Sequence, residues 1–165
     1  MGYWPASVGA SLASGRRVIC ITGDGCLQMN IQELATVVKN KLNIKIFVLN
    51  NDGYLLIRHT QKKYFGKLAG ESPKTGLGFP DLEKIANAYG IRYDQHGWNQ
   101  SVMTDLGEGY KLYPTVLTDN DLRQTIYSTL KGKDPVLCEI KTPKWEKSQG
   151  RLDTISKIHF DSQTY

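Results

Sequence analysis

Apolar positions along the chain alternate between two patterns. From Arg17 to Thr22 (RVICIT) β-branched residues follow one another almost without a break, as in a strand buried on both faces of a parallel sheet. That run ends in Gly23-Asp24-Gly25, a glycine turn. From Asn30 onward Ile31, Leu34, Ala35 and Val38 recur at helical spacing, with Glu33 near the start and lysines at the end, which predicts a helix. Asn43 breaks it, and Ile44 to Leu49 (IKIFVL) predicts a second strand ending at Asn50 and Asn51. The three elements form a strand-helix-strand crossover, so the two strands run parallel and both turns lie on the same edge of the sheet.

Tyr54 to Lys63 predicts a short helix, and Phe65 to Phe79, rich in Gly, Ser, Pro and Lys, reads as an exposed loop. Pro80 opens a helix with Leu82, Ile85, Ala86 and Tyr89 on one face and Gly90 past its end. Arg92 to Trp98 is compatible with a short strand, and Asn99 to Pro114 shows no period of either kind. Thr118 and Asp121 suit a capping box before a helix facing inward through Leu122, Ile126 and Leu130, closed by Gly132. Val136 to Lys141 (VLCEIK) predicts a last buried strand, and residues 143–165 form a polar tail. Strands alternating with helices imply an α/β fold, an open and mostly parallel sheet with helices on both faces, in a domain of residues 1–142.

Composition narrows the class. With 165 residues the chain can bury one core, and 40% hydrophobic with 22% charged residues is usual for a globular domain. No apolar run nears the roughly 20 residues that span a bilayer, and no basic, apolar and cleavable segment opens the chain, so the expectation is a cytoplasmic protein without membrane contact. Cys20, Cys26 and Cys138 are odd in number and lack a CxxC pair, which argues against a disulfide framework or a zinc site. The net charge of +5 comes from scattered lysines, so nucleic acid is not an expected partner.

Ligands of open parallel sheets bind beyond the carboxyl ends of the strands. That edge carries Gly23-Asp24-Gly25 and, after 24 further residues, Asn50-Asn51-Asp52-Gly53. Gly23 and Gly25 permit tight backbone geometry, and amides at a nearby helix start suit a diphosphate. Its charge calls for a divalent ion such as magnesium, which takes oxygen ligands, and Asp24, Asn51 and the Gly53 carbonyl offer three. GDG alone is only a good turn; its pairing with NNDG, each behind a buried strand, carries the reading. Cys26 has no basic neighbour to ionise it, so packing or phosphate contact suits it better than nucleophilic attack. His59, His96 and His159 share no metal-ligand spacing, although His59 could border a substrate cavity.

The segment GDGCLQMNIQELATVVKNKLNIKIFVLNNDGY resembles the signature of thiamine diphosphate-dependent enzymes. Within it QMNIQELAT looks like acetolactate synthase, as does FPDLEKIANAYGI further on, and the resemblance covers about Met1 to Lys141. It implies that Asp24, Asn51 and the Gly53 carbonyl hold magnesium, while Gly25, Cys26, Tyr54 and Leu55 lie along the cofactor. Cys26 departs from the family's usual serine, weakening one contact but leaving the backbone amide. MGYWPASVGASLASG resembles the family segment whose methionine, here Met1, props the bent cofactor. By the same resemblance the chain begins after the domain's first strand and helix and lacks the pyrimidine-binding domain, whose glutamate activates the cofactor. Negligible activity is therefore expected of the chain alone, with a homo-oligomer or a companion chain supplying that domain and a 2-oxo acid as substrate. The alternative is a non-catalytic module kept for assembly. Where acetolactate synthases carry a tryptophan in an RQWQ-like segment, Arg58-His59-Thr60-Gln61 places Thr60, which leaves the substrate open.

Overall fold

The computed structural model describes residues 3–96, 104–105, 111–112 and 119–142. Its elements are α1 (Tyr3–Ser14), β1 (Val18–Gly23), α2 (Asp24–Gln28), α3 (Glu33–Lys39), β2 (Ile44–Asn50), α4 (Leu55–Phe65), a 3-10 turn (Pro73–Thr75), α5 (Leu82–Tyr89), β3 (Arg92–His96), β4 (Thr104–Asp105), β5 (Lys111–Leu112), α6 (Asp119–Leu130) and β6 (Val136–Lys141). Four strands form one parallel sheet in the order β1-β2-β6-β3, and β4 pairs antiparallel with β5. The last strand in sequence is thus an inner strand of the sheet, and Val136, Leu137 and Cys138 are buried accordingly.

Side-chain alternation assigns the two faces. Cys20, Ile46 and Leu137 stand in register on one face and pack into a core with Trp4 and Val8 of α1, Leu34 and Val37 of α3 and Leu82 of α5. The other face carries Ile21, Phe47, Cys138 and Asp94 in register, and α6 lies on it, its buried Thr129 donating to Asp94 at 3.0 Å. Helices therefore cover both faces, as expected of an α/β sheet. Lys45, also on the α6 face, is fully buried, with its Nζ donating to the Asp134 carbonyl. Burial pushes its pKa down, with Arg92 nearby adding to the effect.

Four expectations need correction. The glycine turn Gly23-Asp24-Gly25 opens a short helix instead, α2, which starts at Asp24 itself and buries Leu27, and the helix expected from Asn30 begins only at Glu33, as α3. In α3 it is Val37 that is buried, while Ala35 is exposed. The stretch Phe65 to Phe79 is not simply an exposed loop, since Glu71 and Ser72 are buried and a capping box closes the 3-10 turn between Ser72 and Thr75. β1, expected to be buried on both faces, buries Cys20 on one face and leaves Ile19 and Ile21 exposed on the other, because it lies at the edge of the sheet among the described residues. Helix α6 does turn Leu122, Ile126 and Leu130 inward, half-buried beside the buried Thr129.

The segment 3–14 suggested no element, yet it is helical: Pro5 falls in the first turn, where its missing amide is tolerated, and Trp4 is buried with its indole donating to the Asn30 carbonyl at 3.0 Å. The expected helix Pro80 to Gly90 is α5, capped by Asp81, whose carboxylate accepts from the Lys84 amide at 3.1 Å, and by left-handed Gly90. Trp98, Thr118, most of the stretch Asn99 to Pro114 and the tail 143–165 lie outside the described residues. No described helix is long and apolar enough to cross a membrane.

Candidate functional site

The register of β1 on β2 aligns Gly23 with Leu49, so the turns that follow emerge side by side at one rim. Asp24, only 5% exposed, sits between them. Its Oδ1 accepts from the Gly25 amide at 2.7 Å and its Oδ2 from the Gly53 amide at 3.1 Å, which ties the two turns together. Burial raises its pKa above the ordinary aspartate value; the amides of Gly25, Gly53 and Asp52 oppose this, and the charge of Asp52 adds to it. An ionised Asp24 is costly here, a cost that a cation beside it would lift.

The two asparagines differ. Asn50 is satisfied at both ends of its amide: Nδ2 donates to Glu139 and Oδ1 accepts from the Asp52 amide at 2.9 Å. Asn51 Oδ1 is buried without a hydrogen-bond partner among the described residues. A buried orphan acceptor is unusual, and at a rim shared with a buried carboxylate it is suited to a cation.

Backbone geometry explains the glycines. Gly53 has φ +152, and a Cβ there would overlap the Glu71 carbonyl and the Arg58 guanidinium. At Gly25 a Cβ would run into the Tyr54 ring, which also meets Phe79 edge-on at 6.1 Å between centroids. Gly23 is the extended residue that leads into α2. Leu55 opens α4 half-buried, and Cys26 is exposed next to Gly25. The rim therefore gathers Gly23, Asp24, Gly25, Asn51, Gly53 and Tyr54, with Cys26 and Leu55 adjacent in sequence; Met1 lies outside the described residues. Among the described residues no group of three or more His, Cys, Asp or Glu could hold a metal, so a cation here would rely on neutral oxygens beside one carboxylate.

Behind the rim stands a polar cluster not foreseen from the sequence. Arg58 and Glu71, each 2% exposed at the side chain, form an ion pair. Arg58 also donates to the Asp52 carbonyl at 3.2 Å, and the Glu71 carbonyl accepts from the Tyr54 amide at 2.8 Å. The one signal for it was a charged residue inside a glycine- and serine-rich stretch, which by itself reads as solvated.

Residues 1–140 match the family described as thiamine pyrophosphate enzyme, C-terminal TPP binding domain. The chain belongs to this family. As a thiamine pyrophosphate-binding domain it is related to acetolactate synthases: it is 43% identical over 94 residues to the acetolactate synthase large subunit of Cyanidium caldarium, covering 56% of this chain and 16% of that protein. It is 37% identical over 121 residues to the large subunit of Porphyra purpurea, covering 72% of this chain and 20% of that one. The chain thus spans at most about a fifth of the length of these relatives. Among solved structures, the thiamine diphosphate-dependent 4-hydroxybenzoylformate decarboxylase of Rhodococcus jostii RHA1 superposes with a TM-score of 0.64 at 28% identity, covering 88% of this chain and 23% of that one.

Proposed function

We propose that the chain is the diphosphate- and magnesium-binding part of an acetolactate synthase-like enzyme acting on 2-oxo acids. Asp24, Asn51 Oδ1 and the Gly53 carbonyl would hold the magnesium ion, and Gly25, Cys26, Tyr54 and Leu55 would line the thiamine diphosphate. The observation that carries this reading is the buried, unpartnered Asn51 Oδ1 at the same rim as the buried Asp24. When bound, thiamine diphosphate supplies the carbanion and the electron sink for decarboxylation or carboligation of a 2-oxo acid. The chain's own part is to neutralise and orient the diphosphate: Asp24 contributes the negative charge, Asn51 a fixed neutral oxygen and Gly25 a bare surface on which Tyr54 packs. Thr60 is exposed on α4, and a pocket bordered by it would admit a bulkier substrate than one bordered by tryptophan. Calorimetric titration with thiamine diphosphate and magnesium should give saturable heat with the wild type and about a hundredfold weaker binding with Asp24→Ala. Equal heats in both, or none in either, rule the site out.

The pyrimidine-binding domain with its activating glutamate would come from another subunit or a companion chain. This need for a partner is favoured by β1, an edge strand of its sheet among the described residues, and by the apolar strip beside it: Ile19 and Ile21 are 53% and 66% exposed and Leu49 40%. The same strip supports the second reading, a module retained for assembly without catalysis. Light scattering on the purified chain should show a dimer or larger species that Ile21→Asp shifts toward monomer; a wild type monomeric at high concentration speaks against a self-assembling surface.

A further inference from the structure

The buried carboxylate of Glu139 lies outside the rim yet is wired to it. Glu139 is 4% exposed on β6, in register with Val48 of β2 and Gln95 of β3. Asn50, two residues beyond Val48 and hence on the same sheet face, donates its Nδ2 to Glu139 Oε1. The Tyr93 hydroxyl donates to Oε2. Both donors are neutral. Burying a carboxylate between neutral donors is expensive, and an apolar side chain would fill an inner strand at lower cost, so the charge at this position needs a reason other than packing.

The reason lies in the amide that Glu139 orients. With Nδ2 held by the carboxylate, Asn50 must turn Oδ1 toward the Asp52 amide, which it meets at 2.9 Å. That bond closes a turn in which Asp52 adopts a left-handed φ of +63, and Asn51 lies inside it. Asn50 is further fixed through its carbonyl, which accepts from the Thr142 amide at 2.8 Å just beyond β6. We infer that Glu139 is a positioning residue, which acts through Asn50 to hold the Asn50–Gly53 turn in the conformation that presents Asn51 Oδ1 at the rim. Burial and the adjacent carboxylate raise the Tyr93 pKa, keeping the phenol protonated and therefore a donor at all ordinary pH values.

This inference rests on the proposed cofactor site, and the test separates the two. Glu139→Gln keeps the volume but turns an NH2 toward one of two donors. Calorimetry of the full chain with thiamine diphosphate and magnesium should show roughly tenfold weaker binding for it and a higher magnesium concentration at half-saturation. Because Glu139 works through Asn50, adding Glu139→Gln to Asn50→Ala should weaken binding no further than Asn50→Ala does alone. Wild-type affinity in Glu139→Gln, or single effects that multiply in the double variant, overturns the inference and leaves the cofactor reading intact. A wild type that binds nothing overturns both. Should Glu139→Gln fail to fold, Tyr93→Phe, which removes a single hydroxyl, decides: about threefold weaker binding that vanishes in the Asn50→Ala background is expected, and unchanged affinity overturns the inference.

Discussion

Gly53→Ala is expected to destabilise the chain by about 4 kcal/mol or more, the largest effect of any single methyl added at the rim. Two causes combine. At φ +152 the backbone of Gly53 occupies a region that L side chains rarely adopt. The new Cβ would also overlap the Glu71 carbonyl oxygen, with the carbonyl carbon at 3.2 Å, and this is backbone anchored by the Tyr54 amide, so it cannot swing aside like the end of a side chain. Relief would require parting the Asn50–Gly53 turn from Glu71, which undoes the bond from the Gly53 amide to Asp24. Gly66→Ala is the control: that glycine also has a positive φ, +62, but open space around its Cβ position, so a loss of only about 1 kcal/mol is expected. Urea denaturation followed by circular dichroism compares the two. Equal losses would mean that steric overlap at Gly53 contributes nothing.

Arg58→Leu should lower stability by about 3–5 kcal/mol at pH 7, because it leaves the Glu71 carboxylate buried without its cation. Burial works against that carboxylate, but the Ser72 hydroxyl, the Arg58 guanidinium through hydrogen bond and charge, and the Thr75 hydroxyl outweigh it and hold the pKa below the ordinary glutamate value. A depressed carboxylate pKa contributes stability that is complete above the unfolded-state pKa and is lost as pH falls through the folded-state value. In the variant, protonation of Glu71 relieves the unpaired charge instead. The gap between wild type and Arg58→Leu should therefore be widest near neutrality and narrow once pH drops below the ordinary glutamate range. Denaturation curves at several pH values check the sign; a gap that stays constant into acid would mean that the lost packing of the arginine stem, not the ion pair, accounts for the effect.

Elements whose residues answer to their own neighbours could be read in advance. The strands β1, β2 and β6 announce themselves as short, largely apolar runs, and α5 by its apolar stripe between Asp81 and Gly90. The shared rim was also legible, because a parallel crossover brings the ends of successive strands to one edge, and the Gly53 amide does meet Asp24 there. Helix α1 escaped notice because its small, mixed residues Ala, Ser and Gly carry little periodic signal. Its burial of Trp4 against the turn before α3 is a tertiary contact.

What the amino-acid sequence determined by itself is therefore the α/β class, the strand and helix sequence over most of the described chain, and the two turns that meet at the rim. Only the tertiary structure decided that β6 lies between β2 and β3, that Arg58 and Glu71 are buried together, and that Asn50 is satisfied while Asn51 is not. The physical reason is the range of the interactions. Periodicity and turn chemistry act over a few residues, whereas a hydrogen bond from Asn50 to a carboxylate 89 positions away exists only once the sheet has set those residues side by side.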